Sequence, residues 1–117
     1  MLNQIVLVGR LTRDIKINKT DNGKKIATLS LAIPRSFKNM DGIYDTDFID
    51  CILWDSTATN TSEYCHKGDI VGIKGRVQSR QVEENDTKKN IMEVVAEKVT
   101  FLTSKPKELK EEQEAEE

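Results

Sequence analysis

The segment Ile26 to Ile33 alternates strictly: Ala27, Leu29, Leu31 and Ile33 occupy every second position, with Thr28, Ser30 and Ala32 between them. Side chains along a strand point to opposite faces in turn, so this spacing predicts a strand with one face in a core and the other in water. Such a strand cannot stand alone. It needs neighbours of the same period, and the chain supplies them. Upstream, "NQIVLVGRL" is rich in branched residues, with Gly9 as a bulge or bend, and Asp21-Asn22-Gly23 supplies the positive-φ residues of a tight turn. Downstream, Pro34 is expected to close the strand, and an Asp-Gly turn in "KNMDGIYD" leads into a third strand, "DFIDCILW". The period then breaks. In "DSTATNTSEYCHKGD" there are capping residues and no β-branched apolar run, which predicts a short helix over 57–66 ending at Gly68. Two long strands follow, "IVGIKGRVQSRQV" and "NIMEVVAEKVTFL", with "EENDTKKN" expected as a polar loop between them.

This order predicts an all-β fold: a five-stranded Greek-key barrel of the OB type, with one short helix between strands 3 and 4 plugging one end. A β-sandwich would need more strands. The barrel is expected to occupy 1–104. Residues 105–117, "KPKELKEEQEAEE", have too little apolar surface to offset the entropy of ordering and are expected to form a short, acidic, disordered tail.

A chain of 117 residues suits one core. Its two cysteines, Cys51 and Cys65, have no CxxC spacing, and His66 is the only histidine. The ligands of a structural zinc site are therefore not assembled, and no nucleophile is paired with a base. Reduced thiols, no metal, no cofactor and no catalysis are the expectation. There is no apolar stretch of membrane-spanning length and no leader pattern, which points to the cytoplasm, or a host's cytoplasm if a phage encodes the chain. The net charge of −2 hides segregation: residues 1–40 carry eight Lys or Arg and two Asp, whereas 41–66 carry six acids and no Lys or Arg.

"DFIDCILW" raises the functional question. Ile49, Cys51 and Leu53 form an ordinary core face, yet the opposite face reads Phe48, Asp50, Ile52, Trp54, with an aromatic ring near each end. The rings are about 20 Å apart at roughly 3.3 Å per residue, too far for one base to touch both. That spacing suits a nucleic-acid strand laid across the sheet. Base–ring stacking is sequence-tolerant, and OB barrels bind oligonucleotides on the face built by strands 2 and 3. Phe37, between Arg35 and Lys38 in "RSFK", offers a third ring. Asp50 lies among these groups and would repel phosphate unless an arginine pairs with it.

The blocks "MLNQIVLVGRLTRD", "DNGKKIATLSLAI", "RSF", "DFIDCILW", "YCHKGDIVGIKGRVQSR" and "EVVAEKVTFL" resemble, in order and spacing over 1–103, the bacterial and phage single-stranded DNA-binding proteins. The resemblance implies an OB-fold, sequence-tolerant binding of single-stranded DNA and a homotetramer. It puts Phe37, Phe48 and Trp54 at base-stacking positions, and Arg35, Arg76 and Arg80 where related members carry polar or basic contacts. The sequence departs from the pattern twice. Val82 stands where the family commonly has another aromatic, and "EEQEAEE" lacks the terminal aromatic of the usual acidic tip, which puts recruitment of replication and repair proteins in doubt.

The sequence thus predicts a non-catalytic protein that coats single-stranded DNA during replication, recombination and repair. Phe37, Phe48 and Trp54 would stack bases, while Arg10, Arg35, Lys38, Lys74, Arg76 and Arg80 are candidate phosphate contacts. Two rivals fit the same residues: an OB-fold adaptor whose rings form a protein interface, and a primosomal replication protein that also binds a helicase-loading complex.

Overall fold

In the computed structural model, which describes residues 1–103, the strands are β1 (Ile5–Leu11), β2 (Ile17–Lys19), β3 (Lys25–Lys38), β4 (Tyr44–Trp54), β5 (Ile70–Glu84) and β6 (Thr87–Phe101). A single helix, α1 (Asp55–Tyr64), lies between β4 and β5. The expected tail, 105–117, lies outside the described residues.

The sheet runs β1-β5-β6-β4-β3-β2, and β1 also pairs with β3, closing a barrel of five strands. The short β2 is an addition on the outer edge of β3. Closure happens where β1 leaves β5: Arg10 and Leu11 stand opposite Ala32 and Leu31 of β3. Gly9 permits it, because a Cβ there would stand 2.7 Å from Ile33 Cγ1 and 2.9 Å from the Ala32 carbonyl oxygen. The glycine expected to mark a bend is therefore a contact point between crossing strands. Gly75 has a similar role on β5, where a Cβ would strike the Val95 carbonyl beside the register shift that makes Glu97 the extra residue of β6.

The core is the inward half of each alternation. Leu29, Leu31, Cys51, Leu53, Val71 and Ile73 are fully buried, with Leu11, Ala27, Ala96 and the helix residue Ala58 around them. Ile33 and Ile49 pack against its rim.

Three boundaries differ from the sequence reading. Pro34 does not end its strand: β3 runs on to Lys38, with Pro34 opposite Thr46 and a register shift between Pro34 and Lys38. Proline lacks the N–H of a continuous ladder, and an irregular pairing tolerates that loss. The polar "EENDTKKN" is mostly strand, reduced to a turn at Asn85 and Asp86, both with positive φ. In both cases the hairpins outrun the barrel, so their distal residues carry no core face and their polarity resembles a loop. Helix α1 spans Asp55–Tyr64 rather than 57–66, since Trp54 and Cys65 are both extended and end it at either side.

Candidate nucleic-acid interface

Register makes the outward half of the alternation into a site. Phe48, Asp50, Ile52 and Trp54 of β4 stand opposite Ala32, Ser30, Thr28 and Ile26 of β3. Three of these neighbours are small, so the rings rise above the strand beside them. Phe48 is 71% exposed and Trp54 36%. On the other side β4 runs parallel to β6, with Ile52 beside Val95, and Val95 stands opposite Arg76 of β5. The outward positions Arg76, Gln78 and Arg80 therefore share the face that carries the rings. Val82, opposite Lys89, continues that row toward the hairpin tip.

Beyond the barrel rim the β3–β4 ribbon carries the remaining groups. Phe37 is well exposed, and the Lys38 ammonium lies 5.8 Å from the centroid of Tyr44. Arg35 is engaged: its Nη2 donates to Asp47 Oδ1 at 2.9 Å and its Nε to Oδ2 at 3.2 Å, with Asp45 3.8 Å from Nη1. That hydrogen bond holds the Asp47 carboxyl below its ordinary pKa and raises that of Arg35.

The candidate cations are not equivalent. Arg10 shares a rung with Ala32 and Phe48, but its Nη1 donates at 2.7 Å to the carbonyl of Gly68, which adjoins Leu11 on the β5 side. Lys74 stands between Val6 of β1 and Lys98 of β6, apart from the rings. Arg76 donates to Gln78 Oε1 at 2.6 Å, Gln78 donates to Glu93 Oε1 at 2.6 Å, and Arg80 Nε donates to Glu93 Oε2 at 3.3 Å. The arginine expected beside Asp50 is Arg13, at 3.9 Å.

Among the described residues, no group of three or more His, Cys, Asp and Glu is placed to hold a metal ion. No helix among them is long and apolar enough to cross a membrane.

A profile of the single-strand binding protein family matches residues 2–102. The chain belongs to that family. It is 45% identical over 109 residues to "Single-stranded DNA-binding protein B" of Bacillus subtilis, covering 92% of this chain and 96% of that one. With "Single-stranded DNA-binding protein 3" of Listeria innocua it shares 46% identity over 106 residues, 90% of this chain and 66% of the other. Among solved structures, that of a deletion mutant of the single-stranded DNA binding protein from Thermus aquaticus matches with a TM-score of 0.72 at 29% identity. That match covers 86% of this chain and 50% of the Thermus chain, so the chain spans half the length of this relative. The fold is thus the OB barrel expected from the order of elements.

Sequence reasoning missed Tyr44, Arg13 and the Gln78–Glu93 link. Tyr44 sits in "GIYD", which reads as a turn, although its even-numbered spacing from Phe48 already puts it on the ring-bearing face. Arg13 could be found only by folding β1 onto β3. Glu93 joins the site through its place on β6, beside Gln78 and Arg80 of β5.

Proposed function

We propose that this chain binds single-stranded DNA with little sequence preference, without catalysis, and keeps it unpaired and protected during replication, recombination and repair. The reading rests on one observation above the rest: Phe48 stands exposed on the outer face of a barrel strand whose other face is fully occupied by core, flanked by Ala32 and Ser30. A ring so placed costs solvation and fills no cavity, whereas every base offers a face to stack on it. Phe48, Trp54 and Phe37 take bases, and Arg35, Lys38, Arg76 and Arg80 lie along the path for phosphates. Arg10 and Lys74 have weaker support, the first being turned to Gly68 and the second standing toward β1. The names of the Bacillus, Listeria and Thermus relatives support the same ligand. Residues 1–104 are proposed as the DNA-binding domain, with four copies assembling so that their faces pool, and the cytoplasm as the place of action.

Titrating the Trp54 emission with oligo(dT) and with duplex of equal length tests this reading. Single strands are expected to quench strongly and duplex weakly, because stacking needs open base faces. Equal responses to both, or binding of neither, would favour the adaptor reading, in which the rings contact protein.

A further inference from the structure

Three arginines at the ring-bearing face already have carboxylates beside them. Arg35 is held by Asp47 and flanked by Asp45; Arg13 lies against Asp50; Arg80 is held by Glu93. Glu93 reaches further, because its second oxygen accepts from Gln78, whose amide oxygen accepts from Arg76. One carboxylate thus fixes two guanidiniums. Its side chain is 12% exposed, so it is a seated group and not a passing surface charge.

A guanidinium fork presents a fixed set of donors, and at Arg35 and Arg80 an incoming phosphate needs the donors the carboxylate now uses, while Asp50, 3.9 Å from Arg13, opposes it by charge alone. If both anions stayed close, their repulsion would oppose binding. We propose that binding is an acceptor exchange, in which DNA phosphates displace Asp47, Asp50 and Glu93 from Arg35, Arg13 and Arg80, and that these carboxylates hold the affinity down. The inference rests on the DNA-binding reading above. It also has a signature in salt. Single-stranded DNA releases about 0.7 counterions per phosphate neutralised. A carboxylate stripped of its arginine gathers a cation from solution in return. The slope of log affinity against log salt is therefore shallower than the number of phosphate contacts requires.

The test titrates wild type, D47N, D50N and E93Q with oligo(dT) across a range of NaCl concentrations. Each variant is expected to bind more tightly, by about two- to fivefold for the exposed pairs and about tenfold for E93Q, with a steeper salt slope. A double-mutant cycle separates exchange from a general field effect: the gain from E93Q should largely vanish in an R80A background, and that from D50N in R13A. Gains that persist in those backgrounds, or variants that bind no more tightly than wild type, overturn the proposal. D50N guards against misfolding, since the side chains of Arg13 and Asp50 are 63% and 65% exposed. Wild type that fails to bind oligo(dT) would instead remove the DNA-binding reading itself.

Discussion

Arg35 and Asp47 face each other across the β3–β4 ribbon and share two well-formed hydrogen bonds, at the point where the ribbon leaves the core. Beyond them the ribbon has no buried face, so this pair is the last firm cross-strand tie before Phe37 and Lys38. The pH dependence follows from the lowered pKa of Asp47, caused first by the hydrogen bond from Arg35. A lowered carboxyl pKa means that the tie is complete above the ordinary carboxylate value of 3.8 and is lost as pH falls through the lowered value. Amide protection factors across the distal ribbon should therefore drop in that acid window in wild type, and should lack the step in D47N. Identical profiles would show that the ribbon holds its shape without the pair.

Phe48→Ala and Phe37→Ala should each weaken oligo(dT) binding by roughly 1–3 kcal/mol with little change in melting temperature, since both rings are largely exposed. Trp54→Ala should lower both. Trp54 is only partly exposed, stands opposite Ile26 and immediately precedes α1. Calorimetry alongside the binding titration separates the two effects, and a Phe48→Ala protein that melts early would return that ring to a structural role.

Much of this site is written in short-range periodicity. The alternation Phe48-Asp50-Ile52-Trp54 against Ile49-Cys51-Leu53 assigns each side chain to a face before any fold is known, because the period of a strand is fixed by its backbone. What periodicity cannot assign is who stands across the ladder. Asp50 meets Arg13 only because β1 closes onto β3, and Arg80 meets Glu93 only through the register of the β5–β6 hairpin. The hairpin ends were misread for a related reason. Residues such as Glu83 and Lys89 bury nothing, and a strand without a buried face has the composition of a loop.

The close backbone approaches at Gly9 and Gly75 predict which glycine matters most to folding. Gly9→Ala puts a methyl group against Ile33 Cγ1 and the Ala32 carbonyl, and Gly75→Ala drives one into the backbone of Val95. Each should lose about 1–3 kcal/mol in urea denaturation, with Gly75→Ala at the upper end because a ladder carbonyl yields less readily than a side chain. Gly23→Ala, with open space around it but a positive φ, should cost less, roughly 1 kcal/mol.

The thiols give a second, alkaline pH dependence. Burial, with Asp50 adding, pushes Cys51 up to about 11, and burial with Asp69 pushes Cys65 up to about 12, from an ordinary 9.0. The folded state thus holds both protons more tightly than the unfolded chain does. Stability from this source is complete below pH 9.0 and declines as pH rises through about 11 to 12. Iodoacetamide should label neither thiol at neutral pH without denaturant and both in urea. Rapid labelling of the native protein would place one of them at an opening not seen in the barrel.

The proposed assembly of four copies has a testable seat on β1. Residues Ile5–Val8 pair with β5 alone, because β3 approaches β1 closely only at Gly9 and its ladder begins at Arg10. Among the described residues no strand pairs with the other edge of that segment, and Val6 and Val8 stand exposed on the outer face beside it. An unpaired edge beside apolar side chains is a surface that a second copy can cover by extending the sheet. Light scattering at micromolar concentration should give a tetramer for the wild type. Val6→Asp should shift it toward smaller species while the barrel stays folded, as an outward side chain carries no core load. A wild-type monomer under those conditions would remove the assembly and confine each DNA contact to the face of a single barrel.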